Sequence, residues 1–224
     1  MAVPTAPKPQ AQKVQYLAPN GLTQGTESGI IESKETSSLM VIKPERRTPK
    51  THSGSSMLDS RVKKELHEFE ESVCDERIET ALIIPRNGNP FKVSSGKSNK
   101  VNFTGEQMKS MEDGIMSHNH WNGTTFSASD IQMLVQTGLQ EMRACNSEGS
   151  FVLRRSTKEL PGFFFNKKEL QGKLYERENI ISIRERMALI NGNMTLEEFD
   201  KFVQQLAVEE FAEEYGFDYF FESR

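Results

Sequence analysis

Three observations in the amino-acid sequence predict an α+β fold, a sheet flanked by helices. Between residues 76 and 155, short apolar runs of strand length alternate with segments of helical periodicity. Beyond Pro161 the pattern is mainly helical, ending in the aromatic stretch Phe217–Phe221. Residues 1–57 hold six of the nine prolines and few large apolar side chains, so they bury too little surface to offset ordering entropy and read as a disordered tail. The chain therefore divides into a tail (1–57), a sheet-forming domain (58–157) and a helical C-terminal extension (158–224).

The elements follow in order. Val62, Leu66, Phe69 and Val73 recur at helical spacing among Lys and Glu, which predicts an amphipathic helix over 60–73. Glu79 to Ile84 is a short apolar strand stopped by Pro85; Arg86–Asn89 is a turn and Phe91–Val93 the return strand. Residues 96–100 are polar loop, and Val101–Phe103 is a further short strand candidate. Thr104 and Gln107 form a capping box that opens a helix over 105–114. Ile115–His118 is a strand. Ser127 or Ser129 caps a helix over 128–138, closed by Gly138. Met142–Cys145 and Phe151–Leu153 form a hairpin. Helices are expected over 167–178, 180–189 and 195–215, the last opened by the capping box of Thr195 and Glu198 and ended by Gly216. The aromatic stretch after it should dock on the fold.

Composition excludes several classes. A net charge of -4 and a pI near 5.7 give no global electrostatic attraction to nucleic acid or anionic membrane. The tail carries seven Lys/Arg against four Glu, so the remainder is distinctly acidic. No apolar run approaches the roughly 18 residues of a membrane span, and the first residues lack the pattern of a secretory signal. Cys74 and Cys145 stand far apart and read as free thiols of a reducing compartment.

The chemistry concentrates in His118-Asn119-His120 and the following Ser127-Ala128-Ser129-Asp130. Two histidines two residues apart on a strand point the same way. The turn-rich loop Trp121–Phe126 can fold Asp130 back toward them. Two His and one Asp leave a coordination position open, which is the pattern of a catalytic rather than a structural zinc. An acid, Glu79, stands at the head of the preceding apolar strand; Glu76 is the alternative, and Glu79 is preferred because it abuts that strand.

Glu79…His118-Asn119-His120…Ser127-x-x-Asp130 resembles the JAMM (JAB/MPN) metalloprotease signature. It is most similar to the His-Asn-His variants of RadC-like and phage head-associated proteins. Phe126-Ser127, Asp130-Ile131 and Val101–Phe103 match the phage type, and the resemblance covers about 76–155. It implies a JAB/MPN-like mixed sheet flanked by helices. It implies that His118, His120 and Asp130 ligate Zn²⁺ with a fourth position left for water. Glu79 would take a proton from that water and pass it to the leaving amine, and Ser127 would donate toward the oxyanion. Trp121 departs from the family, which commonly has proline there; it either narrows the substrate groove or marks a member released from catalytic constraint.

Two functions from different classes follow from the resemblance. One is a phage-encoded zinc peptidase or isopeptidase-like hydrolase acting on a protein or peptide substrate. The other is a non-catalytic virion-associated or host-interacting protein that uses the scaffold, binding a phage structural or host protein through the tail or the C-terminal helices. Either places the chain in the host cytoplasm or the virion. Other conspicuous residues have plainer readings: His52 and His67 as solvent-exposed, Ser38–Ile42 as a transient strand or docking segment, Phe163–Phe165 as packing surface, and Glu209, Glu210, Glu213 and Glu214 as a solvated helix face.

Overall fold

The computed structural model describes residues 59–95, 101–192 and 194–224. The expected tail with its Ser38–Ile42 island and His52, and the polar loop at 96–100, lie outside the described residues. In chain order the elements are α1 (Ser60–Val73), β1 (Thr80–Ile84), β2 (Phe91–Ser94), α2 (Gly105–Lys109), β3 (Ile115–Asn119) and α3 (Ala128–Thr137). There follow β4 (Glu141–Asn146), β5 (Gly149–Arg154), a 3₁₀ turn (Gly162–Phe165), α4 (Lys167–Ile190), α5 (Leu196–Tyr215) and β6 (Asp218–Ser223).

The strands form one mixed sheet in the order β2-β1-β3-β4-β5-β6. Only β3 and β4 run parallel, and α3 supplies the crossover that a parallel pair needs. The remaining neighbours are antiparallel. On one face α1 packs Leu66, Phe69 and Val73 against Leu82, Ile84 and Ile115. On the other, α3, the 3₁₀ turn, α4 and α5 cover Ala81, Ile83, Met116, Met142, Ala144 and Leu153. Each large apolar side chain so buried contributes about 1.5–3 kcal/mol. Among the described residues no helix is long and apolar enough to cross a membrane.

Several expectations change. Val101–Phe103 forms no strand: β1 already has β2 on one side and β3 on the other, so the segment finds no free edge beside it. Val101 is buried all the same. α2 is one short turn pair ending at Lys109, because its capping box fixes a start while no apolar stripe sustains the helix. α4 runs unbroken through Asn179, whose helix penalty is only a few tenths of a kcal/mol. The extension expected to be helical also supplies β6, so residues 158–224 share the sheet and its core. The alternation of Tyr219 and Phe221 against Phe220 and Glu222 puts two aromatic rings on the helix-covered face, where they pack on Phe151.

Glu210 and Glu214 are not merely solvated. They pair with Arg177, and Glu210 also with Arg184, tying α5 to α4. Phe164 is buried among Phe211, Tyr215 and Phe217, which makes the 3₁₀ turn a packing element. His67 is exposed beside Glu71. The two cysteines are unpaired and buried. Beyond the core, α4 turns Ile180, Ile183, Met187 and Ile190 to solvent along one stripe.

Candidate metal centre

β3 delivers the two histidines. Ala81 of β1 stands opposite His118, and Ala144 of β4 flanks it on the other side, so the first histidine enters the sheet between two small residues. The strand's two-residue alternation sends His118 and His120 to the helix-covered face and Asn119 to the other. His120 continues the strand by donating its amide to Cys145 O at 2.8 Å.

Asp130 arrives from the start of α3. Ser127 is the N-cap: its hydroxyl accepts the Asp130 amide, and the Asp130 Oδ2 accepts the Ser127 amide at 2.7 Å. This reciprocal box leaves Asp130 Oδ1 facing the histidines. Gly138 ends α3 in the left-handed conformation, φ 69°, that a side chain at Cβ disfavours.

His118 Nε2 lies 3.0 Å from His120 Nε2 and 3.6 Å from Asp130 Oδ1, and His120 Nε2 lies 3.9 Å from Asp130 Oδ2. One ligand atom from each of the three residues can be chosen so that all lie within 4.8 Å of one another, a group that could hold a metal ion. Ligand atoms on a tetrahedral ion with bonds of about 2.0–2.2 Å stand roughly 3.3–3.6 Å apart, which these separations approach. The donor set fits as well. His120 Nδ1 donates to Thr124 O at 3.0 Å, which reserves the Nε2 lone pair for the centre. His118 Nδ1 is buried without a hydrogen-bond partner among the described residues.

The groups polarise one another. Burial opposes the charge of Asp130, but its contact with His118 and the charges of both histidines outweigh this and hold the carboxyl far below the usual range. Burial likewise pushes His118 down, and Asp130 and Glu79 more than offset it, so the imidazole is raised. His120 is lowered, first by burial and then by the charge on His118. Glu79 is half-buried. Burial raises its carboxyl, opposed by His118 and reinforced by Asp130.

Glu79 lies immediately before β1, on the same face as Ala81, and lines a cavity of about 340 Å³ together with His120, Ser127 and Asp130. Glu76, the alternative, is exposed and does not line it. Trp121 stands at the rim, half exposed, with Arg77 over its ring. Apolar wall is provided by Val101, Phe103, Met116 and Met133.

Two supports were not legible in the motif. Asn119, between the histidines, donates to Glu76 O at 2.6 Å and Ile78 O at 3.3 Å, and accepts from the Thr80 amide at 2.8 Å. It thus clamps the backbone that presents Glu79. Tyr219 of β6 meets Thr125 at 2.8 Å, oxygen to oxygen, and packs against Phe126, anchoring the loop between His120 and Ser127. Its burial raises the phenol. An Asn flanked by two His, some forty residues after the loop it clamps, carries no sequence signal of such a clamp.

No family model matches the chain, and no curated protein or solved structure matches it either.

Proposed function

We propose that the chain is a zinc-dependent peptidase or isopeptidase-like hydrolase of JAMM (JAB/MPN) type and phage origin. The observation that carries the reading is the convergence of His118 Nε2, His120 Nε2 and an Asp130 oxygen, with His120 and Asp130 lining one cavity beside Glu79. Zinc held by these three residues would supply Lewis acidity and lower the pKa of water toward about 7. Glu79 would hold the proton removed from the attacking water on its carboxylate and return it to the leaving amine; its raised pKa brings it nearer the neutral range that such a shuttle needs. Ser127 uses its hydroxyl oxygen as a cap acceptor, which leaves its O–H proton to donate toward the developing oxyanion.

Elemental analysis should find one zinc per chain. Glu79→Gln should reduce turnover of a peptide substrate by roughly 10²–10⁴-fold at unchanged zinc content. Zinc-free protein with intact His118 and His120 would overturn the reading. The competing function, a non-catalytic virion-associated or host-interacting protein, is favoured by the exposed stripe Ile180, Ile183, Met187 and Ile190 of α4. It requires that Asp130→Ala leave biological function intact.

A further inference from the structure

The cavity has a cation at its mouth that the chemistry above leaves unused. Arg77 lies two residues before Glu79, with its guanidinium 5.5 Å from the centroid of the Trp121 ring, and both residues line the cavity. The position of each is fixed from behind. Asn119 holds the backbone carbonyls on either side of Arg77, those of Glu76 and Ile78. Trp121 follows His120, whose amide and ring are both bonded.

Arg143 and Arg154 are each neutralised by carboxylates at 2.6–3.2 Å. Arg77 forms no such ion pair among the described residues. Of the acids that share its cavity, Asp130 is committed to Ser127 and the histidines. A cation–π contact with an indole leaves the N–H donors of a guanidinium for a planar acceptor. A single fork beside an apolar wall of Phe103, Met116 and Met133 matches a carboxylate next to an apolar side chain. A phosphate would call for several such donors.

We infer that Arg77, braced by Trp121, is the specificity-determining residue of this cavity: it takes a substrate carboxylate beside the scissile amide, with an apolar side chain against Phe103 and Met133. The inference rests on the hydrolase reading of the site. The carboxylate is that of a peptide C-terminus or of an Asp or Glu side chain.

Trp121 is the sole tryptophan of the chain, so its emission reports on this rim. The full chain carrying Glu79→Gln, which keeps peptides uncut, is titrated with three probes: acetyl-Ala-Leu, its C-terminal amide, and acetyl-Asp-Leu-amide. A carboxylate probe should shift Trp121 emission and bind about fivefold tighter than the neutral amide, the scale of a partly exposed ion pair. Tighter binding of acetyl-Ala-Leu assigns the C-terminus, and of acetyl-Asp-Leu-amide the side chain. Adding Arg77→Ala should erase the discrimination, and Arg77→Lys should keep part of it, with circular dichroism confirming the fold. Equal affinity for all three probes, no response to any, or discrimination that survives Arg77→Ala overturns the inference. Zinc content of the same preparation separates the two claims: zinc present with no carboxylate preference sinks only the role of Arg77, whereas zinc absent sinks the hydrolase reading and leaves the Arg77-dependent preference to be judged by the probes.

Discussion

The two faces of the sheet both gather charged and polar groups around β3, and they treat them in opposite ways. On the α1 face, Glu70 accepts from Ser117 at 2.8 Å, Arg143 at 2.7 Å and Ser150 at 2.7 Å. Arg143 also reaches Glu141 and Glu222, and Arg154 joins Glu141 to Asp218. Burial disfavours the charge of Arg143, but the three carboxylates raise its pKa. On the other face ligand atoms of His118, His120 and Asp130 lie within 4.8 Å of one another, and the buried Nδ1 of His118 has no hydrogen-bond partner among the described residues. A network whose donors and acceptors cancel holds the fold together. A cluster whose ligand atoms converge could hold a metal ion.

The sharpest way to break this contrast is to remove a ligand. Asp130→Ala or His118→Ala should abolish zinc binding, read as loss of the metal-dependent rise in melting temperature, which would be worth about 2.7 kcal/mol at a hundredfold excess over Kd. The wild-type rise should vanish equally on chelation. Arg143→Met tests the other face. It takes the guanidinium from buried Glu70 and Glu141 and from half-buried Glu222, and should cost roughly 3–5 kcal/mol in denaturant unfolding, with zinc stoichiometry unchanged in the folded fraction.

Asn119→Ala probes the link between faces. It should cost about 1–3 kcal/mol and lower peptide turnover at constant zinc content, because the segment bearing Glu79 is released while the ligands stay. Asn119→Asp, which keeps the acceptor for Thr80 but loses both donors, should fall between. The smallest effect concerns Cys145, whose thiol is pushed up to about 12, chiefly by burial. At neutral pH it contributes nothing to pH dependence. Between the unfolded value near 8.5 and about 12 the unfolded chain loses the proton that the folded chain keeps, so stability should fall as pH rises. Cys145→Ala should flatten that alkaline slope, and native Cys145 should resist iodoacetamide at pH 8.

Local signals made much of the fold legible. The 3-4 spacing of Leu66, Phe69 and Val73 marked α1, a cap at Ser127 or Ser129 marked the start of α3, and the box of Thr195 with Glu198 marked that of α5. The same period-two logic that pairs His118 with His120 placed them on one face. Pairing across distance was not legible. Nothing in Asp218–Ser223 says that it lies beside Gly149–Arg154, and Glu70 reads like any other acid of an amphipathic helix although it anchors a buried network. The Val101–Phe103 segment has strand composition, yet it packs Val101 and Phe103 on the core and the cavity wall without joining the sheet. Of the candidate site, the His118, His120 and Asp130 group was visible in sequence because its spacing is local; the Asn119 clamp and the Arg77–Trp121 contact depend on which segments the sheet brings together.

The clamp has a consequence for amide exchange. The Thr80 amide is held by a side-chain oxygen, whereas the amides deeper in β1 are shared between strands. A turn about the Asn119 side chain is enough to expose Thr80 to deuterium, while its neighbours wait for strands to part. Exchange at that one position would therefore clock the opening of the segment that bears Glu79 and Arg77, on a timescale set apart from the unfolding of the sheet.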